Sequence, residues 1–126
     1  MFYSVIVPCF NSEKTILRAL ESIKIQSFSD YEVIVVDDGS IDLTKKFVEE
    51  FCNENNFTYK YIYQNNSGPS VARNNAVKNS SGDFLAFLDA DDEWHKDKLK
   101  IQHEKLLELN SRFLSVNFIY DNFESL

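Results

Sequence analysis

Asp89, Asp91 and Asp92 crowd three carboxylates around a single alanine, Ala90. Acids this close repel and raise one another's pKa unless something positive sits among them. A bound cation resolves that conflict. The donors are hard oxygens with no Cys or His among them, a set that suits Mg²⁺ or Mn²⁺ better than Zn²⁺. Mg²⁺ takes one or two carboxylates and leaves its other positions to water and phosphate oxygens, so the natural third party is a diphosphate. Three more polar stretches could meet it: Pro8-Cys9-Phe10-Asn11, Asp37-Asp38-Gly39-Ser40 and Asn65-Asn66-Ser67-Gly68.

Each of these stretches follows a short apolar run, and helix-period segments lie between the runs. Residues 3–8 read as a first strand, ended by Pro8. Asn11 or Ser12 can cap a helix whose apolar face is Ile16, Leu20 and Ile23, at i, i+4 and i+7 spacing. Residues 31–36 form a second strand, and its unbroken Val33-Ile34-Val35-Val36 suits cover on both faces. Asp42 can cap the next helix, with Phe47, Val48, Phe51 and Cys52 as its buried stripe. Residues 57–63 alternate as a third strand. Pro69 sits well in the first turn of a third helix, which packs Ala72, Ala76 and Val77 and ends before Gly82. Residues 83–88 give a fourth strand, 96–110 a fourth helix and 113–120 a fifth strand.

That order, βαβαβαβαβ, is the pattern of an α/β protein with an open, mostly parallel sheet and helices on both faces. Gly39, Gly68 and Gly82 all fall in connections, so local and global readings agree. In open sheets of this kind ligands bind beyond the carboxyl ends of the strands. The four polar stretches should therefore gather at one edge.

The chain has 126 residues, 44% of them apolar and 26% charged, which fits one domain with a modest core. A net charge of −7 argues against nucleic acid as a partner. The apolar runs, such as Phe84-Leu85-Ala86-Phe87-Leu88, are too short to cross a bilayer, and the start shows no cleavable signal. Cys9 and Cys52 are too few for a disulfide framework and read as free thiols in a reducing cytoplasm.

Four segments carry a more specific signal. Val5-Ile6-Val7-Pro8-Cys9-Phe10-Asn11, Val35-Val36-Asp37-Asp38-Gly39-Ser40, Gly68-Pro69-Ser70-Val71-Ala72-Arg73-Asn74 and Phe87-Leu88-Asp89-Ala90-Asp91-Asp92 resemble the consecutive signatures of family 2 glycosyltransferases, in family order and spacing. A lone Asp-x-Asp is weak, but four linked blocks are strong. The resemblance implies a GT-A fold whose nucleotide-sugar-binding half is residues 1–126, the N-terminal part of a longer enzyme. It also implies residue roles. Pro8 and Phe10 would line the base pocket, with the Phe10 ring against uracil or another base. Asp38 would accept from the base imide N–H, and Asn66 and Arg73 would complete that wall or approach the diphosphate. Asp89 would lie near ribose and metal, and Asp91 would be the direct metal ligand. The reaction implied is inverting transfer from a nucleoside-diphosphate sugar, UDP first among them, to a glycan or lipid-linked acceptor. The cation, Mg²⁺ or Mn²⁺, would offset charge on the leaving diphosphate. Its setting would be the cytoplasm, with peripheral association at the cytoplasmic face of a membrane in the full-length protein. The family's catalytic base lies well beyond the Asp-x-Asp motif. Asp121 and Glu124, at the C-terminal extreme, are not credible in that role.

Plainer roles compete at each position. Phe10 could be core, Asp37 a turn organiser, Asp91 a cap for the fourth helix, Asp92 a partner for its dipole and Arg73 half of an ion pair. Ser12, Ser40 and Asp42 read as caps. His95 and His103 read as a surface and a helix-face residue. Trp94 should pack beneath the acidic loop, and Lys96, Lys98 and Lys100 read as a solvated helix face. Two readings from other classes stand beside the enzyme: a non-catalytic nucleotide-binding module and a signalling receiver domain. A receiver, however, places its acids after the first and third strands. A nucleotidyltransferase would want a Gly-rich basic loop where Pro8-Cys9-Phe10-Asn11 stands.

Overall fold

The computed structural model describes residues 2–109, so the fifth strand expected at 113–120 lies outside the described residues. Within them, strands β1 (Tyr3–Cys9), β2 (Tyr31–Asp37), β3 (Tyr59–Tyr63) and β4 (Phe84–Phe87) alternate with helices α1 (Ile16–Lys24), α2 (Thr44–Glu54), α3 (Pro69–Lys78) and α4 (Lys98–Leu109). All pairings are parallel, in the order β3-β2-β1-β4. This order places β3 beside β2 and β4 on the far side of β1. A receiver-type sheet runs 2-1-3-4-5 instead, and that reading falls.

Side-chain alternation along β1 explains the layers. Tyr3, Val5, Val7 and Cys9 point into one buried cluster with Ile16, Leu20 and Ile23 of α1, Val48 and Cys52 of α2, and Trp94, Leu99 and Leu106. Ile6 points the other way, joining Ile34 and Val36 of β2 beneath Ala72 and Ala76 of α3. The i, i+4 alanines leave room for α3 to lie close to the sheet. Val77, expected in that packing, is instead 39% exposed, because its position turns away from the Ala72–Ala76 stripe. Phe47 and Phe51 are only partly buried; the inner stripe of α2 is Thr44, Val48 and Cys52.

Pro8 does not end β1, which runs on to Cys9 in register with Asp37 of β2. Its effect falls on the other neighbour. Leu88 N–H donates to the Ile6 carbonyl at 2.9 Å, and the parallel pattern next asks for an N–H at Pro8, which has none. The β1–β4 register stops at Ile6–Phe87, and beyond it the two strands part. The strand order reverses its direction of growth at this same place, so the gap is the switch-point crevice of an open sheet.

A polar cluster on the α3 face was not expected. Glu32, 3% exposed within β2, accepts from Ser4 Oγ at 2.7 Å, Ser81 N–H at 2.7 Å and Ser81 Oγ at 2.8 Å. Burial works against the charged form, but these bonds and the field of Lys60 hold its pKa below the usual range. Gly82 donates its N–H to Ser4 Oγ at 2.8 Å. A Cβ there would come within 2.5 Å of the Ser4 nitrogen, so only glycine permits the approach.

Lys98 requires the main correction. It is 3% exposed, not part of a solvated face. The α4 surface that carries it also carries Leu99 and Gln102 inward, so its register faces the core. Its ammonium lies 3.8 Å from the centre of the Trp94 ring and 3.4 Å from Gln102 Oε1. Burial draws its pKa down to about 7. His103 packs between the rings of Phe2 and Phe28, with centroids 4.5 Å and 4.7 Å away.

Candidate functional site

Beyond the carboxyl ends of β1, β2 and β4 lies a cleft of about 910 Å³. Pro8 enters it from the end of strand β1 and Phe10 just after it, Asp38 and Ile41 after β2, Arg73 from α3, and Asp89 and Asp91 after β4. Asp38 and Asp91 thus share one cavity although 53 residues separate them. Asn66 does not line it. It is exposed, and its Nδ2–H donates to the Asp38 carbonyl at 3.1 Å. Phe10 is 43% exposed at the wall, so its ring is available to a ligand and is not core.

The first two loops are sewn together. Asn11 N–H donates to Ser40 Oγ at 2.7 Å, and Asn11 Oδ1 accepts from Ile41 N–H at 2.9 Å. Ser12 N–H reaches Thr44 Oγ1 at 2.8 Å, Glu13 N–H reaches Asp42 Oδ2 at 3.2 Å, and Leu43 N–H reaches Glu13 Oε2 at 3.0 Å. Asn11 adopts φ 47° to make its bonds, a conformation Asn tolerates better than most residues. Of the expected caps, Asp42 serves α2 by accepting from Thr44 N–H at 3.0 Å. Ser12 serves α1 through its carbonyl, which takes Thr15 and Ile16 N–H, and not through its hydroxyl. Ser40 caps nothing; its hydroxyl belongs to Asn11. A pocket wall braced in this way is set before any ligand arrives.

The two adjoining aspartates have divided their work. Asp37 is fully buried; its Oδ1 accepts from Ser40 N–H at 2.8 Å, and its Oδ2 accepts from the Tyr61 hydroxyl. It organises the turn. Asp38, 7% exposed, binds the β3–α3 loop. Its Oδ1 accepts from Ser67 N–H at 2.7 Å and Gln64 Nε2 at 2.9 Å, its Oδ2 from Gly68 N–H at 3.1 Å. Burial pushes its pKa up, and these three donors more than reverse that, leaving it below the usual carboxylate range. An ionised carboxylate has about four acceptor positions, so Oδ2 keeps room for a further donor. Gly39, at φ 93°, lets this turn close against Asn66, whose backbone nitrogen would stand 3.0 Å from any Cβ.

Across the cleft, Asp89, Asp91 and Asp92 are exposed, and each offers an oxygen within 4.8 Å of the others. That geometry fits a divalent cation with open positions for water or phosphate. Arg73 Nη2 lies 3.4 Å from Asp89 Oδ1, both side chains about half exposed, so the ion-pair role is realised. The helix-cap role for Asp91 is not. α4 begins only at Lys98, and the Asp89–Asp92 turn closes through Asp92 N–H to Asp89 carbonyl at 3.0 Å. Trp94, 7% exposed, is buried directly after this loop, in the cluster below it.

Comparison with known proteins gives the family and the fold. The model of Glycosyl transferase family 2 matches residues 4–125. The chain belongs to glycosyltransferase family 2. Among curated relatives of this family 2 chain, the poly(ribitol-phosphate) beta-N-acetylglucosaminyltransferase TarS of Staphylococcus aureus is 43% identical over 102 residues, covering 79% of the chain and 18% of TarS. The UDP-Glc:alpha-D-GlcNAc-diphosphoundecaprenol beta-1,3-glucosyltransferase WfgD of Escherichia coli is 37% identical over 121 residues, covering 96% of the chain and 45% of WfgD. The chain therefore spans less than half the length of either relative. Among solved structures, S. aureus TarS 1-349 in complex with UDP-GlcNAc superposes with TM-score 0.81 at 41% identity, over 86% of this chain and 32% of that one. The mannosyltransferase PcManGT from Pyrobaculum calidifontis, in complex with GDP-Man and Mn²⁺, superposes with TM-score 0.78 at 28% identity, over 82% and 32%. The GT-A architecture expected from the sequence is thereby shown.

Sequence reasoning missed the residues of this family 2 chain, in α1 and just after it, that brace the acidic loop. Arg18 Nη2 donates to the Asp91 carbonyl at 2.9 Å. Gln26, 8% exposed, donates to the His95 carbonyl at 2.7 Å and accepts from Leu99 N–H at 3.0 Å. Ser27 N–H reaches the Lys96 carbonyl at 2.9 Å. Gln26 left a faint trace: it follows the apolar stripe of α1 where a polar residue has no reason to turn inward unless it serves backbone.

Proposed function

We propose that this chain is the donor-binding portion of an inverting, metal-dependent glycosyltransferase that takes its sugar from a UDP-sugar and passes it to a hydroxyl of a glycan or lipid-linked acceptor. The observation that carries the reading is the single cleft. It is lined by an exposed aromatic ring, an ionised Asp38, an arginine, and Asp89 and Asp91, two of three converging carboxylates. A nucleotide would present a flat base and an imide N–H to the ring and Asp38, and a diphosphate to the arginine and the converging carboxylates. UDP is favoured over other nucleotides because UDP and UDP-GlcNAc occupy the TarS structures and WfgD is named for UDP-Glc.

In this reading Phe10 stacks on the base, and the free acceptor capacity of Asp38 Oδ2 takes its imide N–H. Asn66 supports that wall indirectly by holding the Asp38 backbone. Asp91, with Asp89, would hold Mg²⁺ or Mn²⁺, which supplies Lewis-acid neutralisation of the leaving diphosphate when bound. Arg73, now paired with Asp89 in an exposed and weak contact, is free to exchange that partner for a phosphate oxygen. Transfer further requires a base that removes the acceptor proton, and we assign that role to no residue of this segment. The reaction belongs in the cytoplasm, at the face of a membrane if the acceptor is lipid-linked; the two buried free thiols suit a reducing compartment.

The test is turnover by the full-length protein. Incubation with UDP-GlcNAc or UDP-Glc and Mn²⁺ should release UDP faster with a glycan acceptor than without, and chelation should stop it. Saturable UDP binding without any sugar release, across a panel of donors and acceptors, would leave only a nucleotide-binding module.

A further inference from the structure

Ahead of Trp94, the β4–α4 loop presents four acids, Asp89, Asp91, Asp92 and Glu93, yet has few internal bonds. Its buried anchors are Ala90 and Trp94, 6% and 7% exposed. Between them Asp91, Asp92 and Glu93 lie open to solvent, and like charges push the carboxylates apart. Asp92 N–H closes one turn onto Asp89. The Asp91 carbonyl is held from outside the loop, by Arg18 of α1 at 2.9 Å. The segment that follows α1 holds the same stretch again downstream, where Gln26 and Ser27 fix the His95 and Lys96 carbonyls. Arg18 and the residues just after α1 therefore hold the acidic stretch at Asp91 and again just beyond Trp94.

We infer that Arg18 is a positioning residue for the cation site. Tied to α1, the Asp91 peptide cannot rotate freely, which fixes the backbone from which the Asp91 side chain is presented. The guanidinium is charged at every working pH, and it brings that charge to the peptide that joins Asp91 to Asp92. It thereby lowers the cost of holding three acids together before a cation is present. Arg18 does not line the donor cleft, so its action passes through Asp91 and not through the nucleotide. This inference rests on the proposal that Asp89 and Asp91 hold a divalent ion.

The experiment measures Mn²⁺ binding by the intact protein through the electron paramagnetic resonance of free Mn²⁺, beside metal-free UDP binding and metal-free melting temperature. Native protein is compared with Arg18→Met and Arg18→Lys. Arg18→Met should weaken Mn²⁺ binding about tenfold, the usual scale for a residue behind a metal ligand. Metal-free UDP binding and melting should stay near native, and Arg18→Lys should recover most of the loss. Native-like Mn²⁺ affinity in Arg18→Met overturns the inference. So does a loss matched by an equal fall in metal-free melting, or one that Arg18→Lys fails to repair. Failure of the native protein to bind Mn²⁺ at all is a different result and sinks the cation reading itself.

Discussion

Replacing Lys98 by methionine should make the protein more stable at neutral and mildly acidic pH. The ammonium is buried at 3% exposure, and burial takes its pKa from the usual 10.5 to about 7. That drop corresponds to about 5 kcal/mol of cost for carrying the charge in the folded state. The Trp94 face, 3.8 Å from the ammonium, returns about 2 kcal/mol. The bond to Gln102, long at 3.4 Å, adds little. Methionine keeps an unbranched apolar stem in the same space, so Lys98→Met should gain about 2–3 kcal/mol, within the range for replacing a buried charge by an apolar residue. The sign with pH follows from proton counts. Between about pH 7 and 10.5 the unfolded chain holds a proton that folded Lys98 has released, so native stability rises with pH across that window. The methionine advantage is full below pH 7 and fades towards pH 10.5. Urea unfolding of both proteins at pH 6, 7, 8, 9 and 10 measures it. A variant less stable than native at pH 6, or a difference that stays flat from pH 7 to 10, would refute the reasoning.

Other perturbations probe separate contacts. Gly82→Ala should cost about 1–3 kcal/mol in urea unfolding, because the new Cβ would stand 2.5 Å from the Ser4 nitrogen and 2.6 Å from the Tyr3 carbonyl carbon. Glu32→Ala should cost about 2–4 kcal/mol by leaving Ser4 and Ser81 donors without their buried acceptor, whereas an exposed change such as Glu50→Ala should stay within about 0.5 kcal/mol. Asp38→Asn should weaken UDP binding at least about tenfold in calorimetry, since an amide nitrogen cannot accept from the donors now gathered on the carboxylate. The folded-state pKa values of Asp38 and Glu32 lie below their unfolded values. The stability they add is present above about pH 4 and is lost as pH falls through the folded values. Acid titrations of Asp38→Asn and Glu32→Gln should accordingly show a shallower fall below pH 4 than native.

The four β/α units were legible because their signals do not depend on tertiary context. The unbroken Val33 to Val36 suits a strand covered on both faces, and Pro69 suits the first turn of a helix. Chemistry at the strand ends was legible for the same reason: polar residues directly after apolar runs must reach the carboxyl edge of the sheet. Residues whose role is set by a distant partner were not legible. Nothing in the sequence around Lys98 separates a buried ammonium from its exposed neighbours Lys96 and Lys100, since the difference arises from where α4 meets Trp94 and α1. Arg18 reads as an ordinary exposed helix residue until a carbonyl 73 positions away arrives beside it. Glu32 gave a hint, as a charge inside an otherwise apolar strand, but its answer lies in Ser4 and Ser81. Pro8 was read as a strand end because one strand at a time offers no view of the neighbour whose ladder it interrupts.

Calorimetric titration of UDP into the protein, with Mn²⁺ and with chelator, tests the union of base wall and acidic loop in one cleft most directly. Native protein should bind UDP more tightly with Mn²⁺, and Asp91→Ala should bind it equally with and without the metal, at the native chelated affinity. Equal affinity in native protein under both conditions, or a metal effect that survives Asp91→Ala, would contradict the account.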